Sequence, residues 1–405
     1  MRKIFFVLVT TILLGAVFAG AINALSPVAS TSKATLSNVR AYAPAIDDSS
    51  VNFAVDGGEL FAGQPSDWDK IVLPAGVIAN AVAVDANDAA LVYVGAANEL
   101  AIYRSADSGQ NWMRIPLSSD YIGGVTAIAV DSAQRLVYVG TDTAGLFRLR
   151  DVGSSMLVSA HLMLDEPVID VAVDASGSGL AFARTAWALY RAENFGLRWS
   201  EVENLGSTPT ALVVSSTNPA TIYVGTVDRG LLQSNDGLTW TTANAGLGMT
   251  PGSRLQVDAL AIDPAQPDVL YVATSYLFGS TTVHQTPVGV AMSVDGGASW
   301  SQLSSLSDVA VAELLPVSGQ TGSVYALTSA SRTPLALGNA TTVAVATVAD
   351  QADANADAVN SGWLAWVVAG LAAMALLFAV VTDMRKRQRE SGSATLAPSL
   401  VQQKR

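Results

Sequence analysis

The pattern Ser-x-Asp-x-Gly-x-x-Trp recurs along this chain and constrains its fold more than any other feature. Two copies are complete, Ser105-Ala-Asp107-Ser-Gly109-Gln-Asn-Trp112 and Ser293-Val-Asp295-Gly-Gly297-Ala-Ser-Trp300. Ser234-Asn-Asp236-Gly237-Leu-Thr-Trp240 is one residue shorter, and Ala192-Glu-Asn194-Phe-Gly196-Leu-Arg-Trp199 keeps an amide, the glycine and the tryptophan. Self-similarity of this kind is the signature of stacked units, none of which buries its apolar face alone. The residue types spell a turn. Aspartate accepts hydrogen bonds from main-chain N–H groups just ahead of it, glycine takes up backbone angles that other residues resist, and tryptophan buries a large ring against the hairpin. The motif therefore reads as scaffold and not as catalytic machinery.

Two further series run between the turns. Val82-Ala-Val84-Asp85, Ile128-Ala-Val130-Asp131, Val171-Ala-Val173-Asp174 and Leu260-Ala-Ile262-Asp263 end in aspartate, and Leu212-Val-Val214-Ser215 fills the same slot, at steps of 41 to 48 residues. Val92-Tyr-Val94-Gly95, Val137-Tyr-Val139-Gly140, Ile222-Tyr-Val224-Gly225 and Leu270-Tyr-Val272-Ala273 follow them, with a degenerate Leu180-Ala-Phe182-Ala183 and a late relative at Val324-Tyr325-Ala326-Leu327. A third short piece, such as Gly145-Leu-Phe147-Arg148, and a fourth, such as Trp112-Met-Arg114-Ile115, complete the unit. Short β-branched runs bounded by turn residues are strands, and the all-apolar ones are covered on both faces. Four strands in about 40 to 45 residues make a β-propeller blade. Five units are clear between residues 79 and 306, a sixth begins at Asp308, and residues 51–73 belong to another, with Trp68 lying 44 residues before Trp112. The expected fold is all-β, a six- or seven-bladed β-propeller with seven favoured, its two termini sharing one blade.

The tryptophan turns, with Ile262-Asp263-Pro264 and Leu270-Tyr271-Val272, resemble the Asp-box (BNR) repeat propellers over roughly residues 51–340. That group includes sialidases, sortilin-type receptor ectodomains, certain β-glucan hydrolases and photosystem II assembly factors. The resemblance implies turns on the outer rim, away from the central channel, but selects no activity, since one fold hosts unrelated functions. A sialidase would bring three arginines to the substrate carboxylate, with a Tyr/Glu nucleophile pair and an aspartate acid. Met113-Arg114-Ile115-Pro116 mimics the Arg-Ile-Pro element, yet it follows a tryptophan turn in an outermost strand. Arg148, Arg191 and Arg229 fall beside the third strand of their blades, where solvated edge residues are expected. β-Glucan hydrolysis needs two carboxylates facing each other across a cleft, and the related glucanases pair two propellers where this chain has one.

The ends of the chain speak to location. Arg2 and Lys3, the apolar stretch from Ile4 to Phe18 and Ala19-Gly20-Ala21 make residues 1–24 an export signal, either cleaved as a signal peptide or kept as a signal anchor. Trp363 to Thr382 is a run of 20 residues without a charge, and a helix of that length spans the hydrocarbon core of a bilayer. Trp363 and Trp366 stand at one edge at headgroup depth, while Arg385, Lys386, Arg387 and Arg389 follow the other and hold the tail in the cytoplasm. The tail from Asp383 carries +4 and the N-terminal pair +2, so the net −12 of the chain leaves −18 for the remainder. A nucleic acid partner needs cations to displace counterions, which disfavours one here. The chain has no cysteine, which excludes disulfides, thiolate metal sites and cysteine nucleophiles.

Remaining candidates are few. Asp85, Asp131, Asp174 and Asp263 invite a ring of carboxylates around a cation, but each begins the turn after an inner strand. His161 and His284 lack cysteine partners and sit apart in repeat register, so no metal and no cofactor is expected. Residues 276–288 have no counterpart in the other units and form the candidate recognition loop, with Tyr276, Phe278 and His284 as its contacts. The expected organisation is signal 1–24, linker 25–50, propeller 51–340, an Ala/Asp-rich stalk 341–362, membrane helix 363–382 and basic cytoplasmic tail 383–405. The expected role is a non-catalytic protein-binding or complex-assembly module held outside the cytoplasm on a single-pass membrane anchor. A sialidase-like or other glycoside hydrolase is the alternative.

Overall fold

In a computed structural model of the protein, the described residues are 34–340, apart from breaks at 46–50, 65–66, 175–176, 216, 218, 250–251, 280–281 and 307–308. The expected signal, stalk, apolar segment with Trp363 and Trp366, and tail with Arg385, Lys386, Arg387 and Arg389 lie outside the described residues. Among the described residues no helix is long and apolar enough to cross a membrane.

Every strand belongs to one of seven antiparallel meanders, six with four strands and the last with three among the described residues. The innermost strands are Val39–Ala43, Ala79–Asp85, Val125–Asp131, Asp170–Val173, Pro209–Ser215, Arg254–Asp263 and Val311–Pro316. Successive innermost strands touch one another, so the sheets stand as the seven blades of a propeller. The first blade begins at Val39, inside the stretch expected as linker. Its first strand escapes the repeat pattern because residues 44–51 separate it from the second, where the second and sixth blades have only two residues. Among the described residues each blade is one continuous length of chain, and none is shared between the two ends. The first and seventh blades meet through side-chain packing and through Val39 N–H, which donates to Arg332 O at 3.2 Å.

Seven apolar clusters hold the blades, and each straddles one seam. The cluster of Leu36, Val39, Ala54 and Trp68 with Leu315, Tyr325 and Leu327 fastens the seventh blade to the first. Second strands read as continuous apolar runs because both of their faces are covered, as in the fully buried Leu136–Thr141. Val-Tyr-Val-Gly ends in glycine for a steric reason. A Cβ on Gly95 or Gly225 would fall 2.3 or 2.5 Å from a valine of the next blade's innermost strand, and one on Gly140 2.6 Å from Val168, just ahead of that strand. Phe53, Phe147 and Phe182 are at most 2% exposed, and burying each contributes roughly 1.5–3 kcal/mol. Such seams account for a propeller without disulfides.

In an antiparallel four-stranded blade the first-to-second and third-to-fourth turns share one end. The second-to-third turns and the connections between blades share the other. We call these the turn face and the loop face.

Candidate functional site

The tryptophan turns lie on the turn face and use their polar atoms internally. Ser105 Oγ accepts from Asp107 N–H at 3.2 Å and from Gly109 N–H at 2.8 Å, and donates to Asp107 Oδ1 at 2.8 Å. Asp107 Oδ1 accepts from Gln110 and Asn111 N–H at 3.1 and 2.8 Å. The same net forms around Ser234, Asp236 and Gly237, and around Ser293, Asp295 and Gly297. Hydrogen bonds to the ionised form hold the Asp107, Asp236 and Asp295 carboxyls down at about 2. The glycines turn through φ of 91, 71 and 82° at Gly109, Gly237 and Gly297, and Asn194 and Gly196 of the degenerate copy through 50 and 75°. Trp112 Nε1 donates back to Val72 O and Trp300 Nε1 to Ala243 O, each in the segment that leaves the preceding blade. Trp199 Nε1 donates within its own turn to Gly196 O, and Trp240 Nε1 is buried with no hydrogen-bond partner among the described residues.

These turns also fasten blade to blade. The tyrosine of one second strand and the residue opposite it on the third strand reach for the next blade's turn. Tyr93 and Arg104 bond Asp151 at 2.8 Å each. Tyr138 and Arg148 bond Phe195 O at 3.0 and 2.6 Å, Arg191 bonds Asp236 O at 2.8 Å, and Tyr223 bonds Gly296 O at 2.7 Å. Arg148 and Arg191 are thus seam residues and not the solvated edges expected from their position. The register that puts them opposite the tyrosine also points them at the neighbour. Arg114 pairs with Glu99 at 2.5 Å, and Arg229 donates to Leu205 O at 3.1 Å. The arginines of the sialidase reading occupy separate blades and do not converge.

The aspartates at the first corners are also engaged. Asp85, Asp131 and Asp263 cap the N–H groups of Asn87, Gln134 and Ala265. Burial pushes the Asp131 carboxyl up, and Asp174 adds repulsion. Among the described residues no group of three acids or histidines is placed to hold a metal ion.

The loop face carries different chemistry. Six innermost strands bulge near their start, at Arg40, Asn80, Thr126, Thr210, Asp258 and Ala312. Asn80, Thr126 and Thr210 use the bulge to donate to Val125 O, Val168 O and Val257 O of the next blade. The residue after the bulge is alanine in five blades (Ala41, Ala81, Ala127, Ala211 and Ala259) and Glu313 in the seventh, and Asp170, paired with Arg184, holds the equivalent place in the unbulged fourth. Asp170 lies 4.0 Å from Arg184 Nε, and Glu313 lies 2.5 Å from Arg332. Burial pushes the Glu313 carboxyl up to about 7; Arg332 opposes the shift, while Asp170 adds repulsion. Asp170 and Glu313 belong to the fourth and seventh blades, which are not neighbours, so that repulsion acts across the central channel. Burial also raises Asp170 and lowers Arg184, whose Nε is buried without a hydrogen bond. Asp258, raised by burial, accepts from Ser275, from Gln256 at 2.7 Å and from Gln285 at 2.8 Å.

Around this charged mouth the loop face exposes large apolar side chains. Trp187 is 71% exposed, Ile122 94% and Phe278 52%. The stretch expected as a recognition loop is a β-hairpin rising from this face. Tyr276 and Phe278 end the strand Gln266–Phe278, and His284 opens His284–Ser293, with Phe278 paired to His284. Phe278 stacks on His284 with centroids 5.4 Å apart, and Tyr276 OH donates to Gly248 O at 2.8 Å. The insertion reads as loop in the sequence, but the strand register continues outward as far as the Phe278–His284 pair.

No protein-family model matches the chain, and no curated protein matches it. Solved structures resemble it in fold. A GH74 xyloglucanase from Xanthomonas campestris superposes with a TM-score of 0.54 at 19% identity, over 75% of this chain and 52% of that one. YCF48 bound to D1 peptide gives 0.53 at 16% identity, over 76% and 95%. The extracellular domain of a putative hybrid two component system, BT4673 from B. thetaiotaomicron, gives 0.50 at 11%, over 77% and 40%. The chain therefore spans about half the length of the xyloglucanase.

Proposed function

We propose that the chain is an Asp-box propeller that works as a non-catalytic protein-binding or complex-assembly module, tethered to a membrane and displayed outside the cytoplasm, and that it takes its partner on the loop face. The observation that carries this reading is the pairing of exposed Trp187, Ile122 and Phe278 with a charged channel mouth on one end of the blades. Exposed large apolar groups mark interaction sites; the turn face also exposes Leu197, Leu238 and Val294, but the loop face joins such groups to the charged mouth and is built of segments free to vary. The fold it shares with a YCF48 solved with a bound D1 peptide, and the acidity that disfavours nucleic acid, agree with it. Photo-crosslinkers at position 187 on the loop face and position 238 on the turn face test it in native membranes. A defined adduct from 187 alone is expected. Equal labelling from both, or none from 187, counts against it.

A glycoside hydrolase is the second reading, favoured by two carboxylates facing across the channel, one of them at about 7 as a general acid would be. It agrees with the fold shared with xyloglucanases. Turnover of xyloglucan or β-glucan that is lost in Glu313→Gln would establish it. An inactive protein on both polymers retires it.

A further inference from the structure

We infer that the seam between the third and fourth blades holds a site for a small organic monocarboxylate, apart from the loop-face mouth. Arg104 and Arg148 hold the same position in neighbouring blades, each opposite the buried tyrosine of the second strand. Arg104 donates to Asp151 at 2.8 Å, and that pair is 10% and 2% exposed. Arg148 is as deeply buried, at 9%, yet its hydrogen bonds go to the Phe195 carbonyl at 2.6 Å and Ser159 Oγ at 2.5 Å. Among the described residues no carboxylate forms an ion pair with it. The turn position that carries Asp107 in the second blade and Asp151 in the third carries Asn194 in the fourth, so the carboxylate that meets Arg104 has no counterpart opposite Arg148. The Asp131 carboxyl feels the Arg148 charge, but among the described residues no carboxylate bonds the guanidinium, whose remaining N–H groups are left for an anion.

A cavity of about 300 Å³ opens beside Arg148, walled also by Arg198, Glu193, Leu162, Leu197 and Trp199. That volume is at the small end for ligand sites. Guanidinium matches a carboxylate with two parallel hydrogen bonds, while the leucines and Trp199 suit an apolar body. Glu193 in the same wall repels a second negative charge, which favours a monoanion over a phosphate dianion.

Calorimetric titration of the purified full chain with benzoate, benzamide and inorganic phosphate tests the site. Benzoate is expected to bind saturably, with benzamide and phosphate weaker by about tenfold or more. Arg148→Lys keeps the charge but loses the planar fork, and should weaken benzoate by about tenfold. Arg198→Gln should weaken it and Glu193→Gln strengthen it; both lie at the rim and keep the test alive if Arg148→Lys fails to fold. Absence of saturable benzoate binding, an equal response to benzamide, or indifference to both rim changes overturns the inference.

Discussion

The two ends of the same blades treat their carboxylates in opposite ways. On the turn face Asp107, Asp236 and Asp295 are exposed yet held at about 2 by bonds to their own turns. On the loop face Glu313 is raised to about 7 and Asp170 is raised as well, because burial outweighs their arginines, with Asp170 adding repulsion at Glu313. The first arrangement stabilises the fold, whereas the second costs stability and leaves reactive or recognisable charge at a mouth. Repetition built the turn face. The loop face acquired its chemistry where two blades break the repeat, with an acid in place of alanine.

The sharpest way to break this contrast is a glycine pair. A Cβ on Gly237 would lie 2.5 Å from the Phe182 ring of the preceding blade at φ +71°, whereas Gly76, in a loop-face connection at φ +85°, has nothing within 4 Å. Gly237→Ala should cost about 2–4 kcal/mol and Gly76→Ala about 1 kcal/mol, since both are strained but only one clashes. Urea unfolding measures both. Equal costs would mean that the turns do not clamp the seams.

Next in size is a pH effect of opposite sign at the two faces. Glu313 binds its proton more tightly folded, at about 7, than its ordinary value of 4.5. Below about 4.5 both states are protonated and nothing is lost; as pH rises through 7 the native state must ionise a crowded carboxyl, so stability falls across that window. Glu313→Gln should flatten the fall, worth on the order of 1–2 kcal/mol after discounting for its one-third exposure. The turn aspartates do the reverse. Folded at about 2 against 3.8, they contribute above 3.8 and lose their contribution as pH drops toward 2. Replacing Asp295 by asparagine should therefore shrink the acid limb of the stability profile and leave the limb near neutrality alone.

A smaller contrast concerns hydroxyls. Tyr223 OH donates to Gly296 O of the next blade at 2.7 Å, so Tyr223→Phe should cost about 1 kcal/mol. Tyr121, 40% exposed in a loop-face connection, should tolerate Tyr121→Phe without measurable change in melting temperature.

The fold was readable because its determinants are local and repeated. Val-Tyr-Val-Gly encodes two covered faces and one close approach, and Ser-x-Asp-x-Gly-x-x-Trp encodes a turn whose serine and aspartate bonds stay within a few residues. The opening strand Val39–Ala43 was hidden by its long connection, and the hairpin at Tyr276–His284 by its polar composition. The channel mouth was hidden for a different reason. Asp170, Arg184, Glu313 and Arg332 come from two blades on different sides of the ring, and no spacing along the chain brings them together. A signal did exist: aligned by register, Asp170 and Glu313 stand where the other blades carry alanine. Departure from a repeat, and not the repeat itself, points to the site.

That rule sets the smallest stability effect against the largest functional one. Trp187 and Ile122 lie on the loop face at 71% and 94% exposure, with little apolar contact to lose, so Trp187→Ser and Ile122→Ser should move the unfolding free energy by less than about 0.5 kcal/mol. If the loop face takes a partner, truncating an exposed aromatic anchor there removes contact area that nothing else supplies, and the double variant should lose the crosslinked adduct while melting as the parent does. Leu238, 61% exposed on a tryptophan turn, is the matched control, because Leu238→Ser removes as exposed a side chain from the scaffold end. Loss of adduct from both variants alike would erase the distinction between the faces and return the loop-face aromatics to ordinary surface.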